Sequence, residues 1–323
     1  MKRLVFGRYA LSSSMALAML AGCGGSQPPI GAPGAMPQTA GAGQARKATS
    51  SNDLLYAVSI PYVYVLSYPQ GTLLESFSPP AQASFVGVCS GQSGNVFVTA
   101  SYGGPSSVIL EYTHGGTTPV ETLDFDGEPD TCSVDPTTGN LAVTNNTTSY
   151  GNVGIYKGAQ GNASYYTANL VGYSACAYDD GGNLFVDGFT SSGSHTYLAL
   201  TELSAGSGTF QTISLGKVRL EGERPGRIAW EGSYLAMGVS KPPHPQEIWH
   251  VQVSGSGGRI VGKTKAKDIY HWSIQGDTLL SPYGSQHTDI ALFNYPKGRK
   301  PTEIINDGMA GLSALTVSIA PTK

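Results

Sequence analysis

Thr131-Cys132-Ser133-Val134-Asp135-Pro136-Thr137-Thr138-Gly139-Asn140-Leu141-Ala142-Val143 reads as two short strands joined by a turn. Gly139 and Asn140 both tolerate positive φ, which a tight hairpin turn requires. The same construction stands before it, Val88-Cys89-Ser90-Gly91-Gln92-Ser93-Gly94-Asn95-Val96-Phe97-Val98, and after it, Ala175-Cys176-Ala177-Tyr178-Asp179-Asp180-Gly181-Gly182-Asn183-Leu184-Phe185-Val186. The cysteines are 43 and 44 residues apart, so the chain carries an internal repeat of about that length. Aligned in this way, Cys89, Cys132 and Cys176 fall at one matched position on three successive first strands.

Working outward, each pair of strands is followed by a third, at 108–112, 153–156 and 197–203, and a fourth, at 120–125, 164–170 and 210–215. Two more degenerate units begin at Gly226-Arg227-Ile228-Ala229-Trp230 and His271-Trp272-Ser273-Ile274. A sixth first strand lies at 312–318, and its three missing companions are at the front, at 54–59, 63–68 and 72–78. Tyr68-Pro69-Gln70-Gly71 in that front unit matches Tyr295-Pro296-Lys297-Gly298 in the last complete one. No window shows a sustained helical period. The reading is therefore an all-β chain: a six-bladed β-propeller of four-stranded antiparallel blades over residues 52–321. The C-terminal strand joins the N-terminal blade, which leaves no open sheet edge between first and last blades.

The composition agrees. Of 323 residues, 13% are charged, about half the ~25% of an average soluble domain. That argues against a coiled coil or long-helix protein. With 19 Lys and Arg against 22 Asp and Glu, the formal charge is −3, so no basic surface for nucleic acid is expected.

At the N-terminus, Lys2, Arg3 and Arg8 precede an apolar stretch, residues 10–21, that closes on Leu20-Ala21-Gly22-Cys23. Such a segment is a secretory signal, too short for a comfortable membrane span. Residues 24–50 are rich in Gly, Pro, Ala and Gln and carry no apolar period, so residues 23–51 read as a tether.

Leu-Ala-Gly-Cys resembles the lipobox of bacterial lipoproteins. The resemblance implies that residues 1–22 are a lipoprotein signal peptide and that Cys23 is lipidated and becomes the mature N-terminus. Its acyl chains, palmitate among them, would anchor the chain to the membrane. Removing residues 1–22 leaves a net charge of −6. Gly24, where many inner-membrane lipoproteins carry Asp, favours the outer membrane over the inner. The expected location is the cell envelope, lipid-anchored and extracytoplasmic.

The repeat itself, with its Val-x-Val-Asp and Gly-Asn-x-x-Val elements, resembles the six-bladed propellers of the NHL-repeat, lactonase-like and TolB-like group. That resemblance implies a ligand face made by the loops joining strand four to the next strand one and strand two to strand three. Four tyrosines, Tyr62, Tyr102, Tyr150 and Tyr283, recur there, and a tyrosine ring suits peptide or glycan contact. Glu128, Asp130, Arg224, His244 and His287 complete the candidate binding face. The expected function is a binding or scaffold module for a protein, peptide or glycan. The alternative is a metal-assisted hydrolase or lyase, lactonase-like or streptogramin-lyase-like, at the channel mouth.

No catalytic residues are assigned: there is no Gly-x-Ser-x-Gly elbow, and the six histidines show no ligand spacing. No cofactor is expected. Asp124, Asp126, Glu128 and Asp130 form the densest acidic cluster; Ca²⁺ there competes with a solvated turn. The three cysteines read as buried packing residues with free thiols, with a disulfide or a Zn²⁺ site as alternatives. The first strands otherwise lack polar residues of catalytic type.

Overall fold

The structure, a computed structural model, describes residues 52–80, 83–104, 106–146, 151–216, 223–240 and 246–322. The signal segment, Cys23 and the tether lie outside the described residues, as do Tyr150 and His244. The strands form six sheets of four. Blade one begins with β1 (Leu54–Ser59), β2 (Val63–Ser67) and β3 (Leu73–Phe77). Blade two is β4 (Ser84–Ser90), β5 (Val96–Ser101), β6 (Ser106–Tyr112) and β7 (Glu121–Asp126). Blade three is β8 (Pro129–Val134), β9 (Leu141–Asn145), β10 (Asn152–Tyr156) and β11 (Ser164–Tyr166). Blade four is β12 (Gly172–Tyr178), β13 (Leu184–Ser192), β14 (His195–Leu203) and β15 (Gln211–Ile213). Blade five is β16 (Arg224–Trp230), β17 (Leu235–Ser240), β18 (Glu247–Ser254) and β19 (Gly257–Lys265). Blade six is β20 (Ser273–Gln275), β21 (Thr278–Tyr283), β22 (Asp289–Asn294) and β23 (Glu303–Ile305). The last strand, β24 (Leu312–Ser318), pairs antiparallel with β1 from Leu54↔Ser318 to Ser59↔Leu312 and is the inner strand of blade one. The architecture is the six-bladed propeller expected from the repeat, with the expected closure.

Burial explains the sequence pattern strand by strand. A blade's second strand is covered by a neighbouring blade on both faces. Hence β5, β9 and β17 are buried at nearly every position and read as continuous apolar runs. Outer strands alternate or face water, as in β7 and β19. Lys263 and Lys265 on β19 pair with Glu247 and mark an outer edge with charge, which discourages pairing with another chain. The apolar clusters lie between blades. One packs Phe97, Ile109 and Leu123 of blade two on Leu141, Val143 and Tyr156 of blade three.

Each inner strand of blades two to five carries a bulge, at Phe85/Val88, Pro129/Cys132, Tyr173/Cys176 and Pro225/Ile228. In three of them a polar side chain on the second strand accepts the bulge N–H. Gly87 donates to Thr99 Oγ1 at 2.7 Å, Thr131 to Thr144 Oγ1 at 3.0 Å and Ala175 to Asp187 Oδ1 at 2.8 Å. The bulges press against the next blade: a Cβ on Gly87 would lie 2.1 Å from the Asp130 carbonyl, so only glycine fits there.

The cysteines correct the sequence reading. Cys89 and Cys132 form a disulfide, with Sγ–Sγ 2.07 Å and Cα–Cα 5.6 Å. The three are not at one matched position. Ser90, Val134 and Tyr178 are the last paired residues of their inner strands, opposite Val96, Leu141 and Leu184. Cys89 lies one residue before that end, Cys132 and Cys176 two. Successive side chains on a strand point to opposite faces, so this one-residue offset turns Cys89 towards blade three and Cys132 back towards blade two. Cys176, in phase with Cys132, also faces blade three, but the position facing it holds Ser133. It is a free, buried thiol 3.7 Å from the Ala142 carbonyl, and burial pushes it up to about 12. Two of the three thiols are therefore bonded to each other, which leaves no set of three for Zn²⁺.

The repeat makes a specific prediction. Ser133→Cys reproduces between blades three and four the geometry that Cys89 and Cys132 have between blades two and three. A second disulfide, between the introduced thiol and Cys176, is expected, with the Ser133 hydrogen bond from Tyr178 N–H lost. Alkylation after denaturation without reductant should then label neither thiol; labelling of both would refute the register argument.

Candidate functional site: the two mouths of the central channel

The inner strands all run in one sense, so the channel has two unlike mouths. At one, the turns between first and second strands converge. There the C-terminal ends of β4, β8, β12 and β16 border an open pocket of about 350 Å³ lined by Ser90, Gln92, Ser133, Tyr178, Asp180 and Trp230, among others. Trp230 is fixed twice: its ring stacks on Phe185 with centroids 6.2 Å apart, and its Nε1–H donates to Asp180 Oδ2 at 2.9 Å. Hydroxyls, an amide, a carboxylate and aromatic faces thus line one concave space, with the disulfide in its wall. This is the opposite mouth from the one the loop analysis favoured. Trp230 and Asp180 were not among the expected site residues, although a Trp closing an inner strand just before a Glu-Gly-Ser turn is a readable signal.

At the other mouth lie the loops. Tyr62 and Tyr102 stand on them, 44% and 43% exposed. Tyr62 touches Tyr64, and Tyr283 is half-buried edge-on against Phe293 within its own blade. Among the described tyrosines, then, no ring around the channel forms by mutual contact. Glu128 and Arg224 are exposed. His287, with φ of 51°, lays its ring on Tyr270 at 4.5 Å.

The acidic cluster does not converge. Asp124 and Asp126 are exposed on the outer strand β7, Glu128 on the loop, and Asp130 turns into the channel on β8. The loop is knit by an amide instead of a cation: Asn145 Nδ2 donates to the Asp126 carbonyl at 3.0 Å, and Glu128 N–H donates to Asn145 Oδ1 at 3.0 Å. Among the described residues, no group of three or more His, Cys, Asp and Glu stands close enough to hold a metal ion.

Inside the channel the inner strands are more polar than the sequence reading allowed. Asp130 on β8, Arg227 on β16 and His271 just before β20 are coupled through space, and Asp130 also acts on Asp187, which is buried on the second strand β13. Burial raises the Asp130 carboxyl against the opposing pull of Arg227 and a 3.4 Å hydrogen bond from Asn146 Nδ2. Asp187 is fully buried, and burial together with the Asp130 charge pushes it far up, which favours its protonated form. His271 is pushed down by burial and by the nearby Arg227 and His287, a shift tempered by the exposure of its side chain. The signals were present: an Arg within the apolar Gly226–Trp230 run, and an Asp where blades two and three carry Thr99 and Thr144.

No known protein family and no curated protein matches the chain. Solved structures do. A protein of unknown function from Bacteroides caccae aligns at 15% identity and a TM-score of 0.58, over 83% of this chain and 99% of that one. TolB from Acinetobacter baumannii aligns at 10% identity and 0.57, over 83% and 67%. A functionally unknown protein from Desulfotomaculum acetoxidans aligns at 10% and 0.55, over 84% and 88%. At these identities the likeness is one of fold. The chain is a six-bladed β-propeller, an architecture consistent with a binding or scaffold module.

Proposed function

We propose that this chain is a lipid-anchored propeller of the bacterial cell envelope that binds a peptide or glycan segment of an envelope partner. The observation that carries the reading is the pocket at the turn-side mouth. Its volume falls in the ~300–1,000 Å³ range of ligand pockets, and a locked Trp beside hydroxyl, amide and carboxylate groups matches the mixed demands of a peptide or a sugar. Lipidation at Cys23 and the Gly- and Pro-rich tether support an extracytoplasmic station, with Gly24 favouring the outer membrane.

The test joins anchoring and binding. Cys23→Ser should abolish acyl labelling and release the chain from membranes. Trp230→Ala should remove an aromatic wall worth about 1–3 kcal/mol, a five- to more than hundredfold loss of affinity for any peptide or glycan captured from an immobilised array. Capture unchanged in Trp230→Ala would move the site elsewhere, and acyl label on Cys23→Ser would end the lipoprotein reading.

A further inference from the structure

The formal charge of −3 hides a strong polarity. Residues 52–156, which supply nearly all of blades one to three, contain no Lys or Arg. Of the ten Lys and Arg among the described residues, six lie between residues 263 and 300, on blades five and six, and all six are exposed. In a ring of six, blade five stands opposite blade two, whose outer strand β7 exposes Glu121, Asp124 and Asp126. The molecule is therefore basic on one rim and acidic on the other.

Two pieces of backbone build the basic rim. Lys263 and Lys265 stand two residues apart on one side of β19, and Lys267 follows them. The turn after β22 carries Lys297, Arg299 and Lys300. It is tied onto the end of β19: Arg299 N–H donates to the Lys265 carbonyl at 2.6 Å, and Lys267 N–H donates to the Arg299 carbonyl at 3.2 Å. Arg299 adopts φ of 74°, a left-handed conformation unfavourable for a residue with a Cβ. Like charges are thus drawn together at a strained residue, and their neutralisation is incomplete. Glu247 pairs with Lys263 and Lys265, and Asp268 lies 3.8 Å from Lys267. Among the described residues, no carboxylate pairs with Lys297, Arg299 or Lys300.

Exposed lysines spread over a rim suit a broad field of negative charge rather than a single anion. Val261 on β19 and Ile304 on β23 are also exposed, and cations mixed with apolar side chains are the pattern of an interfacial membrane contact. The entry of the chain agrees: Leu54 pairs with Ser318 in blade one, which packs on blade six.

We propose that the rim of blades five and six rests on the anionic, phosphate-bearing headgroup surface of the membrane to which the chain is tethered; this choice of occupant rests on the lipid anchor proposed above. The acyl chains hold the molecule, and the rim sets how it stands: edge-on, with the acidic rim away from the bilayer and both channel mouths open to the side. By itself the rim gives weak, salt-sensitive binding.

The test uses the full chain carrying Cys23→Ser, so that no acyl chain contributes and the N-terminal segment contributes equally throughout. Partition is measured on vesicles of phosphatidylglycerol mixed with phosphatidylcholine, and of phosphatidylcholine alone. Lys267→Gln/Lys297→Gln/Lys300→Gln should weaken binding to the anionic vesicles about fivefold per cation, on the order of a hundredfold in all. Lys267→Arg/Lys297→Arg/Lys300→Arg should leave it unchanged. The three side chains are exposed, so both variants should melt with the parent. The difference between them should vanish on phosphatidylcholine alone and at about 1 M salt, where screening acts over about 3 Å. Equal partition of the two variants on anionic vesicles overturns the proposal. So does a Gln variant that matches the parent on vesicles but loses binding to inorganic polyphosphate, which assigns the rim to a soluble polyanion. Acyl labelling of the chain with Cys23 intact is scored separately. Its absence removes the lipid anchor and leaves a rim contact that the vesicles show, whereas acylation without the rim effect removes the rim contact alone.

Discussion

A chain lacking residues 312–323 is expected to lose cooperative folding. Those residues contain β24, the inner strand of blade one, and with it Leu312, Leu315 and Val317, all buried. Burial of three such side chains contributes roughly 5–9 kcal/mol, comparable with the whole ~5–15 kcal/mol stability of a typical domain. The polar ties go as well. Ser318 Oγ donates to the Gly94 carbonyl and lies 2.7 Å from His114 Nδ1; Ser313 Oγ donates to the Val86 carbonyl at 3.2 Å, and Ser90 Oγ to the Val317 carbonyl at 2.8 Å. Without β24, β1 presents an unpaired edge and β4 an uncovered apolar flank. Aggregation or a broad, non-cooperative melt is the expected result. A truncated chain that stays monomeric and melts at the wild-type temperature would contradict the closure.

The second large effect is expected at the inter-blade disulfide. Cys89 and Cys132 close a loop of 43 residues. In the chain-entropy account such a link stabilises the fold by about 4 kcal/mol. For a chain of this size that corresponds to a fall in melting temperature of roughly 8 °C or more in Cys89→Ala/Cys132→Ala. In the wild type, denaturation without reductant should expose only Cys176 of the three to alkylation. Labelling of all three, or a double variant that melts with the wild type, would refute the bond or its weight.

The fold was legible because the physics repeats. A blade needs two tight turns and a second strand buried on both faces, so Gly-Asn and short Val, Leu and Phe runs return about every 44 residues. The cysteines show where such a reading slips. The spacing from Cys132 to Cys176 equals the repeat, but that from Cys89 to Cys132 falls one short. In a strand, an odd offset is the difference between facing away and facing across. The extra turn residue in Asp135–Asn140 hides that offset when segments are aligned on the cysteines. The candidate site was only partly legible. Asp130 and His287 could be named from the sequence because their loops could be placed, although Asp130 lies on the strand β8. Arg227 was passed over because inner strands were read as apolar, and Asp187 because it lies on a second strand, whose short apolar run hid one carboxyl accepting the bulge N–H of Ala175. Trp230 was missed because the turn-side mouth was set aside.

The closing strand also fixes an order of assembly. During synthesis, Cys89 and Cys132 emerge long before β24, so blades two and three can dock while most of the chain is still to come. Blade one, although its other strands come first, stays one strand short until residue 318 has emerged. The ring can therefore shut only after the whole repeat array has been delivered, and every incomplete chain displays the raw edge of β1. A quality-control protease that reads exposed strand edges would distinguish finished from unfinished molecules at that one place.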